Sequence, residues 1–142
     1  MNAYQGENVI NGNFGEVWVE SEYIANATGI EAKMTLSTTK VSLCKSLKSG
    51  TKIIGVEGKG TIKLHKVDSY FIKKMAPLLK AGKTFKATII TKLDDPDAFG
   101  DERVKLIGCV FTELTLADWE HGKLGEESVP FEFSDFEVMD SI

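Results

Sequence analysis

Two periods run through the apolar positions of the chain, and the shorter one dominates. Val17 and Val19 alternate with Glu16, Trp18 and Glu20, the two-residue period of a strand with one buried and one wet face. A turn at Glu20 to Glu22 and a second alternating run in "GEVWVESEYIANATGIEAKMTL" predict an early hairpin. Ile62 and Leu64 alternate with Lys63 and His65, a further strand. "TFKATIITKL" and "ERVKLIGCVFTELTLADWE" read as two more, joined by the acidic turn "DDPDAFGD" with its Pro96 and Gly100. Gly108 inside the second of them predicts a bulge or bend where the sheet curls. Val129, Phe131 and Phe133 alternate with Pro130, Glu132 and Ser134 in "EESVPFEFSDFEVMDSI". A strand near a terminus is often an edge, and an apolar edge invites pairing with another chain.

The longer period occurs once. Phe71, Ile72, Met75, Leu78 and Leu79 fall at i, i+1, i+4, i+7 and i+8, one face of a helix over about Asp68–Lys80. Asp68 is placed to cap its start and Gly82 to stop it. Pro77 removes one backbone donor and is expected to loosen the second half, a cost of about 3 kcal/mol in an otherwise regular helix. The class is mainly β (α+β): six or seven strands in a small barrel or sandwich with one flanking helix. The expected core includes Ile62, Leu64, Phe71, Ile72, Met75, Leu79, Phe131 and Phe133.

Between the early hairpin and Ile62 lies "STTKVSLCKSLKSGTKIIGVEGKG". It is rich in Ser, Thr, Lys and Gly, yet Val41, Leu43, Leu47, Ile53, Ile54 and Val56 interrupt the polar residues. Linker sequence does not look like this. The segment 37–59 is expected to form a long hairpin or loop around Ser49 and Gly50, either a contact arm or a mobile surface loop.

Size and composition narrow the class. At 142 residues and 42% hydrophobic content, the chain 1–142 fits a single domain that buries about two-thirds of its unfolded surface. The longest apolar runs fall far short of the roughly 20 residues needed to span a bilayer, so no membrane insertion is expected. "MNAYQGENVINGNFG" has neither the basic nor the apolar region of an export signal. Cys44 and Cys109 lie far apart, with no disulfide or zinc spacing.

The net charge of −4 conceals a strong asymmetry. Residues 1–36 carry a net −4, residues 37–93 carry +11 with thirteen lysines against Glu57 and Asp68, and residues 94–142 carry −11. Such a division points to a partner, either nucleic acid or an oppositely charged protein surface. It is equally met if the two parts lie side by side and cancel. A further reading is that copies stack head to tail, basic region against acidic region.

Catalytic chemistry is not indicated. His65 stands mid-strand and His121 in the turn "EHGK", so no metal-ligating pair exists. Asp94, Asp95, Asp97 and Asp101 sit in a Pro/Gly turn, the usual setting of a solvated loop. "GKGT" at Gly58 to Thr61 lacks the spacing and following helix of a phosphate loop, and no nucleophile elbow appears. No enzyme activity and no cofactor are expected.

The order of segments resembles the tail tube proteins of contractile-tailed phages, PBSX-like prophages and R-type bacteriocins. The resemblance rests on "GKGTIKLHKV" leading into "DSYFIKKMAPLLKAG", on "GDERVKLIGCVF", and on "EESVPFEFSDFEV". It covers about Asn11 to Val138 and departs most at the N-terminus and through Ser37 to Val56. It implies a barrel-like subunit that forms hexameric rings stacked into a hollow tube, wrapped by a sheath, started on a baseplate and closed by a terminator. It also implies assembly in the bacterial host cytoplasm and release as part of a phage or bacteriocin tail.

On that reading, Lys40, Lys45, Lys48 and Lys52 meet acids of a neighbouring copy from Asp94 to Asp101 (Asp94, Asp95, Asp97 and Asp101) or from Glu126 to Asp140, Glu132, Asp135 and Glu137 among them. Val41, Leu43, Leu47, Ile53 and Ile54 add the apolar part of the subunit contacts. A lumen that is not strongly basic is compatible with DNA passage, because aligned lysines would hold phosphates. Two alternatives share some of these features: a secretion-system tube protein, and a nucleic-acid-binding β-barrel using the basic segment. The second has few aromatics for base stacking, since Tyr70 and Phe71 belong to the helix.

Overall fold

Alternation becomes a single antiparallel sheet in the computed structural model, which describes residues 3–142. The strands are β1 (Gly15–Val19), β2 (Glu22–Tyr23), β3 (Ala27–Ser42), β4 (Ser49–His65), β5 (Lys86–Leu93), β6 (Glu102–Phe111), β7 (Glu126–Phe133) and β8 (Asp135–Asp140), with helix α1 (Tyr70–Lys80) between β4 and β5. Their order is β2-β1-β5-β6-β7-β4-β3, and β8 also pairs with β6. The fold is therefore mainly β with one flanking helix and a long hairpin, as the sequence predicts. The barrel-like sheet stays open, because β3 pairs only with β4 and β2 only with β1.

The early hairpin differs from expectation in its second strand. Glu20 and Ser21 both take positive φ, 50° and 67°, in the two-residue turn that suits a right-twisted hairpin. The strand that follows holds only Glu22 and Tyr23. The buried Ile24 and a turn closed by Ala27 N–H donating to the Ile24 carbonyl redirect the chain. Asn26 Nδ2 donates to the His65 carbonyl at 2.6 Å. The next alternating run thus pairs with β4.

Gly108 bends β6, with φ of 68°. β5 pairs on both sides of it, at Ile89↔Leu106 before and at Ala87↔Cys109 and Lys86↔Val110 after, while the other edge changes partner from β8 before it to β7 at Val110 and Phe111. Ser134 breaks β7 from β8 at the same level, its N–H donating to the Ile107 carbonyl at 3.1 Å. A Cβ at position 108 would lie 2.5 Å from Ser134 Oγ. Glycine is required there on two counts, positive φ and close approach.

The core gathers Val19, Ile62, Ile89, Cys109 and Phe131, all with their side chains fully enclosed. Phe111 is its hub, with ring centroids of Phe71, Phe85 and Phe131 at 5.1, 5.8 and 6.1 Å. Ile62, Leu64, Phe71, Phe131 and Phe133 are buried as expected, and Met75 packs partly buried against the cluster. Ile72 is half-buried, and Leu79 is 67% exposed, so it does not belong to the core. At about 100° per residue, Leu79 stands roughly 80° around the helix from the buried Phe71.

The helix begins later than expected. Ser69 holds the cap position without a side-chain bond, and Asp68 Oδ1 accepts from the Tyr70 N–H at 3.3 Å. The helix continues through Pro77 to Lys80. At its end the Lys83 N–H donates to the Leu78 carbonyl at 2.8 Å and the Gly82 N–H to the Leu79 carbonyl at 3.1 Å. With φ of 72° at Gly82, this is a Schellman closure.

Candidate assembly surfaces

The most unusual feature is the β3–β4 ribbon. The two strands stay paired from Ala27↔Leu64 to Ser42↔Ser49, but β7 accompanies β4 only from His65 to Gly58. Beyond Met34↔Gly58 the ribbon projects alone. At about 3.3 Å per residue, it reaches roughly 26 Å past the sheet. Its turn lies over 43–48, where the Ser46 N–H donates to the Leu43 carbonyl and Lys45 takes φ of 56°. The turn was expected around Ser49 and Gly50; instead both are in β4, because Thr51, Ile53 and Ile54 favour a longer ladder.

Cross-strand partners share a face. Met34, Leu36↔Val56 and Thr38↔Ile53 therefore carry the core face outward, and Ile54 is the extra residue at the bulge opposite Ser37 and Thr38. Inside the sheet this face is covered, but along the arm it is bare. Leu36, Ile53, Ile54 and Val56 are all exposed, as are Val41, Leu43 and Leu47 towards the tip. A two-stranded ribbon is marginal in water. Lys40 bonds Thr51 Oγ1 at 3.2 Å, and none of Lys40, Lys45, Lys48 and Lys52 forms an ion pair among the described residues.

The acids expected to face those lysines are not equivalent. Asp95 is buried; its two oxygens accept from the Asn11 N–H at 2.9 Å and the Asp97 N–H at 3.0 Å. It clamps the N-terminal segment, aided by Asn8 Nδ2 on the Asp97 carbonyl, and so is not an exposed contact acid. Asp94 pairs with Lys92 at 3.7 Å, Asp97 is exposed and Asp101 is half-buried. Glu132, Asp135 and Glu137 are exposed. Register sets Glu137 opposite Lys105 and Asp140 opposite Arg103, and the ion pairs Lys66–Glu127 at 3.6 Å and Lys92–Asp94 at 3.7 Å join the basic and acidic parts within the chain.

An open cleft of about 1010 Å³ lies where the sheet fails to close. Ile30 and Met34 of β3 face Val104, Phe136 and Val138 of β6 and β8 across it. The strand expected over Glu102 to Glu120 ends at Phe111, and 112–125 is an irregular excursion. It exposes Leu116, Trp119 and Leu124. Gly122 and Gly125, with the polar stretch between Ala117 and Lys123, were the available signal.

Cys109 is buried, and burial pushes its thiol up to about 11. Cys44 is exposed at the arm's tip. Among the described residues no cluster of His, Cys, Asp and Glu could hold a metal ion, and no helix is long and apolar enough to cross a membrane.

A subunit with a bare apolar arm and unpaired sheet edges is built to meet other chains, and the family model for phage tail tube proteins matches residues 2–140. The chain belongs to the phage tail tube family. It is 30% identical over 142 residues to the XkdM protein of the phage-like element PBSX of Bacillus subtilis (strain 168), covering 99% of this chain and 97% of that one. The fold of this tail tube chain matches a chain in the extended sheath-tube complex of the extracellular contractile injection system PVC, with TM-score 0.75 at 10% identity, covering 96% and 95% of the two chains. A chain of the PVC sheath/tube terminator gives TM-score 0.74 at 9% identity, covering 92% and 96%. The role is structural, that of a phage tail tube protein.

Proposed function

We propose that the chain builds the inner tube of a contractile tail, as hexameric rings stacked in one direction. The arm supports this reading most directly: an extended ribbon with one bare apolar face gains stability only where another copy covers it. Burying that face is worth roughly 25 cal/mol per Å² before the cost of association. A sheath protein surrounds the tube, a baseplate nucleates it and a terminator ends it. Subunits assemble in the producing bacterium and leave with the released particle. Negative-stain microscopy of the purified protein, alone and with baseplate nuclei, tests the proposal. Rings or tubes of uniform diameter are expected; a strict monomer under both conditions refutes it.

The match to a terminator chain supports a second reading, a ring that closes a tube without extending it. The two differ in growth. A tube subunit lengthens with concentration, whereas a terminator stops at one ring.

A further inference from the structure

Strands that pair directly are usually joined by two to five residues. β6 and β7 pair at Phe111↔Phe131, yet 112–125 separates them. The excursion is held in place. Leu114 packs against the core, the Lys66 N–H donates to the Gly125 carbonyl at 2.8 Å, and Trp119 meets His121 edge-on at 5.5 Å. On this anchored platform Leu116, Trp119 and Leu124 are 73%, 75% and 89% exposed. Glu113, Asp118 and Glu120 are interspersed with them along 112–125, where the one lysine, Lys123, is bonded to Glu120 at 2.9 Å. The excursion thus exposes large apolar side chains among acids, the composition suited to a binding patch whose core is dry and whose edge is charged.

The arm's tip has the complementary character. Leu43 and Leu47 are exposed there, and between Ser37 and Val56 the chain carries four lysines and no acid. Within one subunit the two cannot meet. The platform lies where β4 ends, beside His65↔Glu126, and the tip lies where β4 begins, at Ser49. The strand between them has a contour of about 50 Å.

We propose that the 112–125 platform receives the arm tip of a second copy of this chain, Leu43 and Leu47 seating around Leu116, Trp119 and Leu124 while the arm lysines face Glu113 and Asp118. The contact joins two different surfaces at opposite ends of the subunit, so it is head-to-tail, and placed between rings it sets a single direction of stacking. This rests on the tube reading and replaces the acidic turn over 94–101 as the lysines' partner.

Cys44 makes the contact testable in the full chain, since Cys109 is enclosed. Leu116→Cys, Trp119→Cys and, at the exposed Phe99 of the acidic turn, Phe99→Cys are assembled, imaged and then oxidised with copper–phenanthroline and oxygen. A ladder of covalent multimers is expected on non-reducing denaturing gels from Leu116→Cys or Trp119→Cys, with wild type and Phe99→Cys remaining monomeric. A ladder from Phe99→Cys alone, or from none of the variants, overturns the platform while leaving the tube standing. Absence of rings or tubes in the wild-type images removes the tube reading itself. Independently, Trp119→Asp is expected to raise the concentration needed for assembly about tenfold or more, with an unchanged melting midpoint; unchanged assembly refutes the seat.

Discussion

The Phe131 ring packs directly against Gly60. A Cβ at position 60 would sit 2.5 Å from the Phe131 ring and also strike the Glu31 carbonyl oxygen. Gly58 stands in the same relation to Phe133, since a Cβ there would lie 2.7 Å from its ring and its carbonyl oxygen. "GKGT" thus has a packing role: bare backbone lets two aromatic rings of β7 lie on β4 where the arm leaves the sheet. Gly60→Ala must move both a fully enclosed ring and backbone, and overpacking of this kind costs about 1–3 kcal/mol or more. Thermal unfolding is expected to show a drop of several degrees for Gly60→Ala and none for Gly12→Ala, where nothing lies within 4 Å. An unchanged midpoint for Gly60→Ala would contradict the packing.

Legibility in the sequence followed the period of its apolar residues. Ile62, Leu64, Phe131 and Phe133 alternate strictly and fall in the core by that alone, and Gly82 and Gly108 do what only glycine does cheaply. Pairing was another matter. Nothing local says that the run after Asn26 joins β4 and not β1, since register is set by tertiary packing. Asp95 illustrates the limit at the candidate site. Among its acidic neighbours it looks solvated, and only the fold brings Asn11 to its carboxylate. Leu116 and Trp119 were absorbed into a strand because Leu114 and Leu116 happen to alternate.

The two cysteines should behave differently. Cys109 Sγ is enclosed and donates to the Leu106 carbonyl at 3.5 Å, and burial holds its pKa near a value of about 11. At pH 8 almost none of it is thiolate, whereas Cys44 is open to reagent. A thiol-reactive dye is expected to label one cysteine in the native protein and both after denaturation. Because the raised pKa favours the folded protonated thiol, the associated stability is present below the unfolded value and lost as pH rises from about 9 to about 11. Rapid labelling of Cys109 in native protein at pH 8 would count against this.

Removing everything after Ser134 deletes β8, which pairs with β6 from Ile107↔Asp135 to Arg103↔Asp140. The truncated chain loses the Phe136 and Val138 wall of the cleft and bares one edge of β6. A lower melting midpoint and a tendency to aggregate are expected, since an uncovered edge pairs with other chains. Full stability after truncation, with only assembly impaired, would assign the tail to contacts between subunits alone.

The arm separates folding from assembly most cleanly. Ile53→Ser and Val56→Ser remove exposed apolar side chains from a ribbon that no other strand of the subunit covers, and exposed substitutions of this sort usually shift stability by less than about 0.5 kcal/mol. Exchange of Lys40, Lys45, Lys48 and Lys52 for glutamine removes charges that form no ion pair among the described residues. Both sets are expected to leave the unfolding transition in place. Their assembly phenotypes should diverge with salt: the serine pair weakens tubes at every ionic strength, because hydrophobic burial is not screened. The glutamine set weakens them most in low salt and progressively less towards 0.5 M, where the Debye length falls to a few ångströms and wild-type lysines are already masked. Sedimentation of assembled material across a salt series reads both slopes. Equal loss from the glutamine set at low and high salt would show that the lysines act through packing of their stems, and no loss at low salt would remove them from the interface.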